Sequence, residues 1–198
     1  MDELCNVRFF NGTTGVGLID IFVNGVLLVG GLEYGTFSPF LRAVPGIYSF
    51  ELCPRGENSE FFYLENIEFP SAGDYTLATT GNLTNLDFAI IRPEEITDMP
   101  ISLPNIRFAN LVPFYTVLDL TLDDRMAISG LLYKETSEPM EINSGNYRVR
   151  IFDSDTARQI MGENNLIIEP NISHLGIVFG EIDSPDSPVK LVLTNDVS

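Results

Sequence analysis

The residues of this chain that could do chemistry are few and scattered. There is one histidine, His174, and two cysteines, Cys5 and Cys53, too few together for a zinc site built from these residue types. His174 could act as a general base, but it lies in a strand-like run at a position that an internal repeat, set out below, fills with Tyr75. A residue of a core or edge strand is therefore the expectation. The cysteines leave three readings open: unpaired small hydrophobes, an intradomain disulfide, or intermolecular crosslinks, for which Cys5 is well placed near the N-terminus. Asp153-Ser154-Asp155 and Asp183-Ser184-Pro185-Asp186 cluster hard oxygens of the kind that hold calcium. Neither follows the twelve-residue calcium-loop spacing, so solvated loops are expected. Gly12-Thr13-Thr14-Gly15-Val16-Gly17 is glycine-rich but lacks the lysine and following helix of a phosphate loop, and reads as a connection between strands. No catalytic residue, cofactor or metal is assigned, and an enzyme is not expected.

The elements that must position these residues come from a duplication. Residues 6–52 align with residues 105–151 at a constant offset of 99, without a gap. Asn6, Arg8, Phe9, Asn11, Asp20, Gly31, Leu32, Tyr34, Ser38, Gly46 and Tyr48 recur as Asn105, Arg107, Phe108, Asn110, Asp119, Gly130, Leu131, Tyr133, Ser137, Gly145 and Tyr147. The cysteines do not recur, Pro104 and Phe152 standing in their places, so they are not part of the repeat's design. The 198 residues thus divide into a first repeat over 1–92, a linker over 93–104 and a second repeat over 105–198. Each repeat is long enough to bury a core of its own. The linker, with three prolines, reads as a stiff extended connector. Its apolar Ile96, Met99, Ile101 and Leu103 are expected to find cover between two domains in contact.

Hydrophobic alternation has period two almost throughout, with Gly, Pro, Asn and Asp between the runs. In the first repeat it predicts about seven strands: Val7 to Phe10, Leu18 to Val23, Val26 to Val29, Tyr48 to Leu52, Phe61 to Leu64, Tyr75 to Thr79 and Leu86 to Ile91. Asn24-Gly25 suits a type I′ hairpin turn, and Asp123-Asp124 is its weaker counterpart. Only Asp153 to Gly162 could hold a turn of helix. The fold class expected is all-β, as two tandem antiparallel, Ig-like β-sandwiches. Alternation turns Ile19, Ile21, Val23, Tyr48 and Leu52 inward, with Leu118, Leu120, Leu122, Tyr147 and Ile151 equivalent. It turns Arg8, Asp20, Arg107 and Asp119 outward. If the first two strands are neighbours, Arg8 with Asp20 and Arg107 with Asp119 form cross-strand ion pairs; otherwise they are independent surface charges.

A net charge of -17 argues against nucleic acid and anionic membranes as partners, since both call for basic patches. No apolar stretch is long enough for a membrane-spanning helix.

Val7-Arg8-Phe9-Phe10-Asn11, the hairpin from Leu18 to Gly25, Gly31-Leu32-Glu33-Tyr34-Gly35, Ser38-Pro39-Phe40 and Val44-Pro45-Gly46-Ile47-Tyr48 together carry a resemblance. They are similar to the bacterial domain-of-unknown-function family 4397, whose repeats carry a Val-Asp-Val-Tyr-Val-Asn-Gly hairpin, a Gly-Leu-x-Tyr-Gly turn and a Ser-Pro-Tyr segment. The second repeat keeps Asp119, Gly130, Leu131, Tyr133, Gly145 and Tyr147 but lacks the hairpin glycine and the Ser-Pro pair. The resemblance implies tandem β-sandwiches on bacterial surface or envelope proteins, and no catalytic residues. Met1-Asp2-Glu3-Leu4-Cys5 does not look like a secretion signal, so a bacterial cell or spore surface would be reached by mother-cell deposition or as a processed mature form.

Two functions from different classes fit. One is a structural subunit of a surface, spore-coat or fibre-like assembly, a homo-oligomer or polymer joined through sheet edges and the N-terminal segment, with Cys5 and Cys53 as candidate crosslinks. The alternative is a module binding a glycan or protein through aromatic loops such as Phe37-Ser38-Pro39-Phe40 and Pro113-Phe114-Tyr115.

Overall fold

Side chains branched at Cβ or aromatic pack well on a pleated surface, and the runs of them between turn residues become strands here. The computed structural model describes residues 4–55, 63–92, 103–114 and 116–197, without the side chains of Tyr63, Glu163 and Asn164. The chain divides into two compact units, Met1–Pro93 and Glu94–Val197. Each holds eight strands among the described residues. The first has β1 (Cys5–Asn11), β2 (Leu18–Val23), β3 (Val26–Glu33), β4 (Leu41–Ala43), β5 (Gly46–Pro54), β6 (Tyr63–Phe69), β7 (Gly73–Thr80) and β8 (Asp87–Ile91). The second has β9 (Asn105–Leu111), β10 (Leu118–Leu122), β11 (Arg125–Leu131), β12 (Met140–Glu141), β13 (Gly145–Asp153), β14 (Arg158–Ile168), β15 (Ser173–Phe179) and β16 (Lys190–Asn195).

In the first unit one sheet runs β4-β1-β7-β8 and the other β3-β2-β5-β6. The second repeats this order as β12-β9-β15-β16 and β11-β10-β13-β14. Inward side chains of the two sheets meet in one core per unit, as Phe9 of β1 and Phe50 of β5 show, with ring centroids 5.8 Å apart. Pairing is antiparallel except between β1 and β7, and between β9 and β15, which run parallel. The alternation that locates strands carries no information about their direction, which is why this parallel pair was not expected.

Ile19, Ile21 and Leu52 are buried, as are Leu118, Leu120, Leu122 and Ile151. Val23, Tyr48 and Tyr147 are only partly buried and pack at the core's margin. Tyr48 lies at an end of its strand, where its hydroxyl donates to Val44 O at 2.8 Å, and Tyr147 does the same to Asn143 O. The cores differ in filling. Phe50, Phe69 and Phe88 are answered by the smaller Val149, Ile168 and Leu191.

Asn24-Gly25 turns with φ of 50° and 77°, and Asp123-Asp124 does so with 47° and 64°, so the second hairpin keeps its geometry without glycine. Asp123 Oδ1 accepts from Arg148 N at 2.9 Å, as Asn24 Oδ1 accepts from Ser49 N. Asp153 to Gly162 holds no helix; it is the end of β13, a turn stapled by Thr156 N donating to Asp153 Oδ1, and the start of β14. The three-residue β4 is too short to alternate visibly in the sequence, and β6 reaches Phe69 because exposed Asn66 and Glu68 alternate with buried Ile67 and Phe69. The linker at 93–102 lies outside the described residues, and with it the expected cover for Ile96, Met99 and Ile101. Among the described residues no helix is long and apolar enough to cross a membrane.

Leu120 is fully buried in the core of the second unit. Leu120→Ala should therefore lose about 2 to 5 kcal/mol in urea-induced unfolding. A loss at the level of a surface substitution would put the β10 register one residue out.

Candidate functional site

The predicted ion pairs do not form, because their premise fails: β1 and β2 belong to different sheets, as do β9 and β10. Nor are the arginines on an outer surface. Arg8 and Arg107 are both buried, on the face of β1 and β9 turned away from the core. The chain between β3 and β4 lies along β1 and covers that face, with Ser38 N donating to Phe9 O at 2.8 Å and Gly35 N to Asn11 O at 2.7 Å. Phe37 and Phe40 from this segment sandwich the Arg8 guanidinium, 4.7 Å from each ring centroid, while Arg8 Nε donates to Thr76 Oγ1 at 2.8 Å. In the second unit Leu175 stands in register with Arg107 where the first has Thr76 with Arg8. Arg107 instead grips Asp196 through two bonds of 2.8 Å. The aromatic loop read as a glycan or protein contact is thus, in the first unit, the lid over a buried cation.

Asp20 and Asp119 hold the backbone. Asp20 Oδ1 accepts from Gly31 N at 2.6 Å, and Asp119 Oδ1 from Gly130 N at 2.8 Å. Both glycines have positive φ, 66° and 72°, at irregularities in the β2/β3 and β10/β11 ladders, where glycine is the residue without strain. The repeated Asn11 and Asn110 are fully buried and tie sheet to sheet. Asn11 Nδ2 donates to Leu32 O of β3 at 2.9 Å and its Oδ1 accepts from Thr13 N; Asn110 does the same with Leu131 O and Val112 N. Ser38 Oγ and Ser137 Oγ accept from Phe9 N and Phe108 N. These repeated polar residues are therefore scaffold, and Asn11, Asn110 and Ser38 satisfy backbone groups that the fold would otherwise bury without a partner.

The glycine-rich loop is packed in the same way, with Thr14 N donating to Gly81 O at 2.8 Å and Thr13 Oγ1 to Thr79 Oγ1 at 2.8 Å. His174 is buried and its Nε2 accepts from Glu169 N at 3.1 Å, a structural contact at the end of β14. Asp183 pairs with Arg158 at 3.0 Å, and Asp153 staples its own turn. Among the described residues no group of three or more His, Cys, Asp or Glu side chains is placed to hold a metal ion.

The crosslink reading of the cysteines needs correcting. Cys5 and Cys53 form no disulfide and have no exposed surface, so the folded domain presents neither sulfur to a neighbour. Cys5 Sγ donates to Ser71 O at 3.2 Å, and burial raises its thiol above the ordinary range against the opposing charge of Arg92. Repeat alignment showed that the cysteines lay outside the common design, but only packing shows that their use is as small core residues.

What the surface does offer is apolar. Between the two sheets of the first unit opens a cleft of about 400 Å³, with Val7 and Phe9 of β1, Phe50 of β5 and Phe69 of β6 among its lining. Leu41 and Ala43 of edge strand β4 and Val26 and Leu28 of edge strand β3 stand around it. Its volume falls within the roughly 300 to 1,000 Å³ usual for ligand pockets, but its walls are nearly without polar side chains. In the second unit Ala43 is answered by Ile142, which is buried in the core, and Val26 and Leu28 by Arg125 and Ala127. Exposed apolar residues also mark other outer strands: Leu64 on β6, Ile90 on β8, Met126 on β11 and Ile167 on β14. The sequence does not disclose the cleft, because Val26 to Val29 reads only as a strand and strand order alone decides that it is an edge.

Two measurements follow. Arg107→Met, which strands Asp196 in a buried position, should cost about 3 to 5 kcal/mol of unfolding free energy, and Arg107→Met with Asp196→Leu should recover most of it. Titration with a thiol reagent should find both cysteines unreactive in the native protein and reactive in denaturant; rapid native labelling would contradict their burial.

No curated protein matches the chain. Residues 5–98, spanning the whole first sandwich, match the family described as "Domain of unknown function (DUF4397)". The first sandwich, over residues 5–98, is a domain of the DUF4397 family.

Proposed function

We propose that the protein is a non-catalytic structural subunit of a bacterial surface, spore-coat or fibre-like assembly, joined to copies of itself through its sheet edges. One observation supports this reading: β3, β6 and β8 of the first unit and β11 and β14 of the second are outer strands that present exposed apolar side chains. Outer strands carry unpaired N–H and C=O groups, and a neighbouring strand satisfies them while covering the apolar side chains beside them. The polar residues common to both repeats are occupied in holding the sandwich, which suits a building unit. Cysteine crosslinks have no part in the joining, since both thiols are core residues.

A net charge of -17 opposes association, and screening by salt weakens that opposition. Sedimentation velocity across a concentration series should show species larger than the monomer, growing with added salt, and electron micrographs should show ordered assemblies. A protein that stays monomeric throughout and is retained on a glycan or protein surface would transfer the assignment to a binding module.

A further inference from the structure

The apolar edge β3 differs from its counterpart in three ways that bear on what covers it. First, no charged residue lies between Asp20 and Glu33, whereas the same stretch of the second unit carries Asp123, Asp124 and Arg125. Charges on an edge strand deter pairing with another chain, and β3 has none before its terminal Glu33. Second, Val26, Leu27 and Leu28 are 67%, 51% and 45% exposed in consecutive positions. Third, Val26 and Leu28 line a cleft that runs into the core, at a place where the other repeat is filled by Ile142. The shared scaffold does not dictate an opening there.

The hydrogen-bond phase of the strand is also set. A two-residue turn at Asn24-Gly25 makes Val23 and Val26 the pair that exchanges both backbone bonds. The next pair, Phe22 with Leu27, is then a non-bonded one, which leaves the N–H and C=O of Leu27 directed at the open edge. On a chain of net charge -17, an approaching segment must itself be free of negative charge, and Val26 to Leu32 of another copy meets that condition.

We propose that β3 docks on β3 of a second copy, antiparallel about a two-fold axis at Leu27, so that the paired strands cap the cleft of each subunit. This rests on the self-association proposed above and names its first contact. The axis makes Leu27 and the partner's Leu27 a bonded pair, and sets Val26 beside the partner's Leu28 and Leu28 beside the partner's Val26, as an isologous interface requires. Sheet β3-β2-β5-β6 thereby becomes half of a continuous eight-stranded sheet, with a row of four apolar side chains along the mouths of the two clefts.

The test uses the full chain and three variants in sedimentation velocity. Val26→Arg places at β3 the charge that the second unit already tolerates as Arg125, and should weaken dimer formation by about a hundredfold or more, because each charge is set against the partner's Leu28 with its like-charged copy diagonally across the axis. Leu83→Arg, in an exposed turn outside the strands, should leave assembly unchanged. Leu27→Cys should form a covalent dimer on mild oxidation, since bonded antiparallel pairs set their Cα atoms about 5.5 Å apart, within disulfide reach. Leu27→Cys decides the matter if Val26→Arg fails to fold. Assembly that persists in Val26→Arg, with no crosslink through Leu27→Cys, overturns the β3 contact and leaves self-association to other edges. A wild-type chain that is monomeric at every concentration overturns both.

Discussion

A buried amide holds each sandwich together. Asn11 in the first unit and Asn110 in the second sit at the end of the opening strand, with no exposed surface, and donate to a carbonyl of the facing sheet. The same side chain accepts from the backbone two residues on, which turns the chain out of the strand. An apolar residue here would leave a buried carbonyl and a buried N–H without partners, each at a desolvation cost of about 1 to 3 kcal/mol. Once this clamp is set, the positions of β3, of the loop after β1 and of the covering segment that follows β3 are all restricted. Gly35 N returns to the carbonyl of Asn11 itself, and Lys134 N to that of Asn110.

Around this shared frame the two units solve the same problems with different side chains. Both bury an arginine under the segment that covers the opening strand. One stabilises it with two aromatic faces and a threonine hydroxyl, the other with a bidentate carboxylate. A buried guanidinium needs its charge dispersed or neutralised, and either arrangement serves. The cores diverge in the same way, richer in aromatic rings in the first unit and in aliphatic side chains in the second, and the cleft of the first unit lies beside Ala43 where the second buries Ile142. The two units share the polar clamps and differ in apolar packing, because a clamp depends on specific atoms and packing depends on total volume.

Strand positions, the two-fold repetition and the inward faces at Ile19, Ile21, Leu118 and Leu120 were legible from alternation and from the constant offset, since both are local or internal to the sequence. The chemistry of Arg8, Asp20, Cys5 and Cys53 was not. Alternation assigns each side chain to one of two faces of a strand but is silent on what lies over the outer face, and here a covering segment turns a presumed surface into an interior. Assigning Arg8 to Asp20 required knowing that β1 and β2 were neighbours, whereas the chain crosses from one sheet to the other between them.

By itself, the sequence determined that this protein is built of two β-rich repeats, where most strands run, and which repeated polar residues both copies retain. Those follow from periodicity and identity, properties that survive without knowledge of contacts. Only the tertiary structure decided that β1 and β7 run parallel, that the repeated Asn, Asp and Ser residues are internal clamps, that the cysteines are core, and that Val26 to Val29 form an open edge beside an apolar cleft. Each of these is a relation between segments far apart in the chain, set by which hydrogen bonds and which apolar faces are satisfied at the same time.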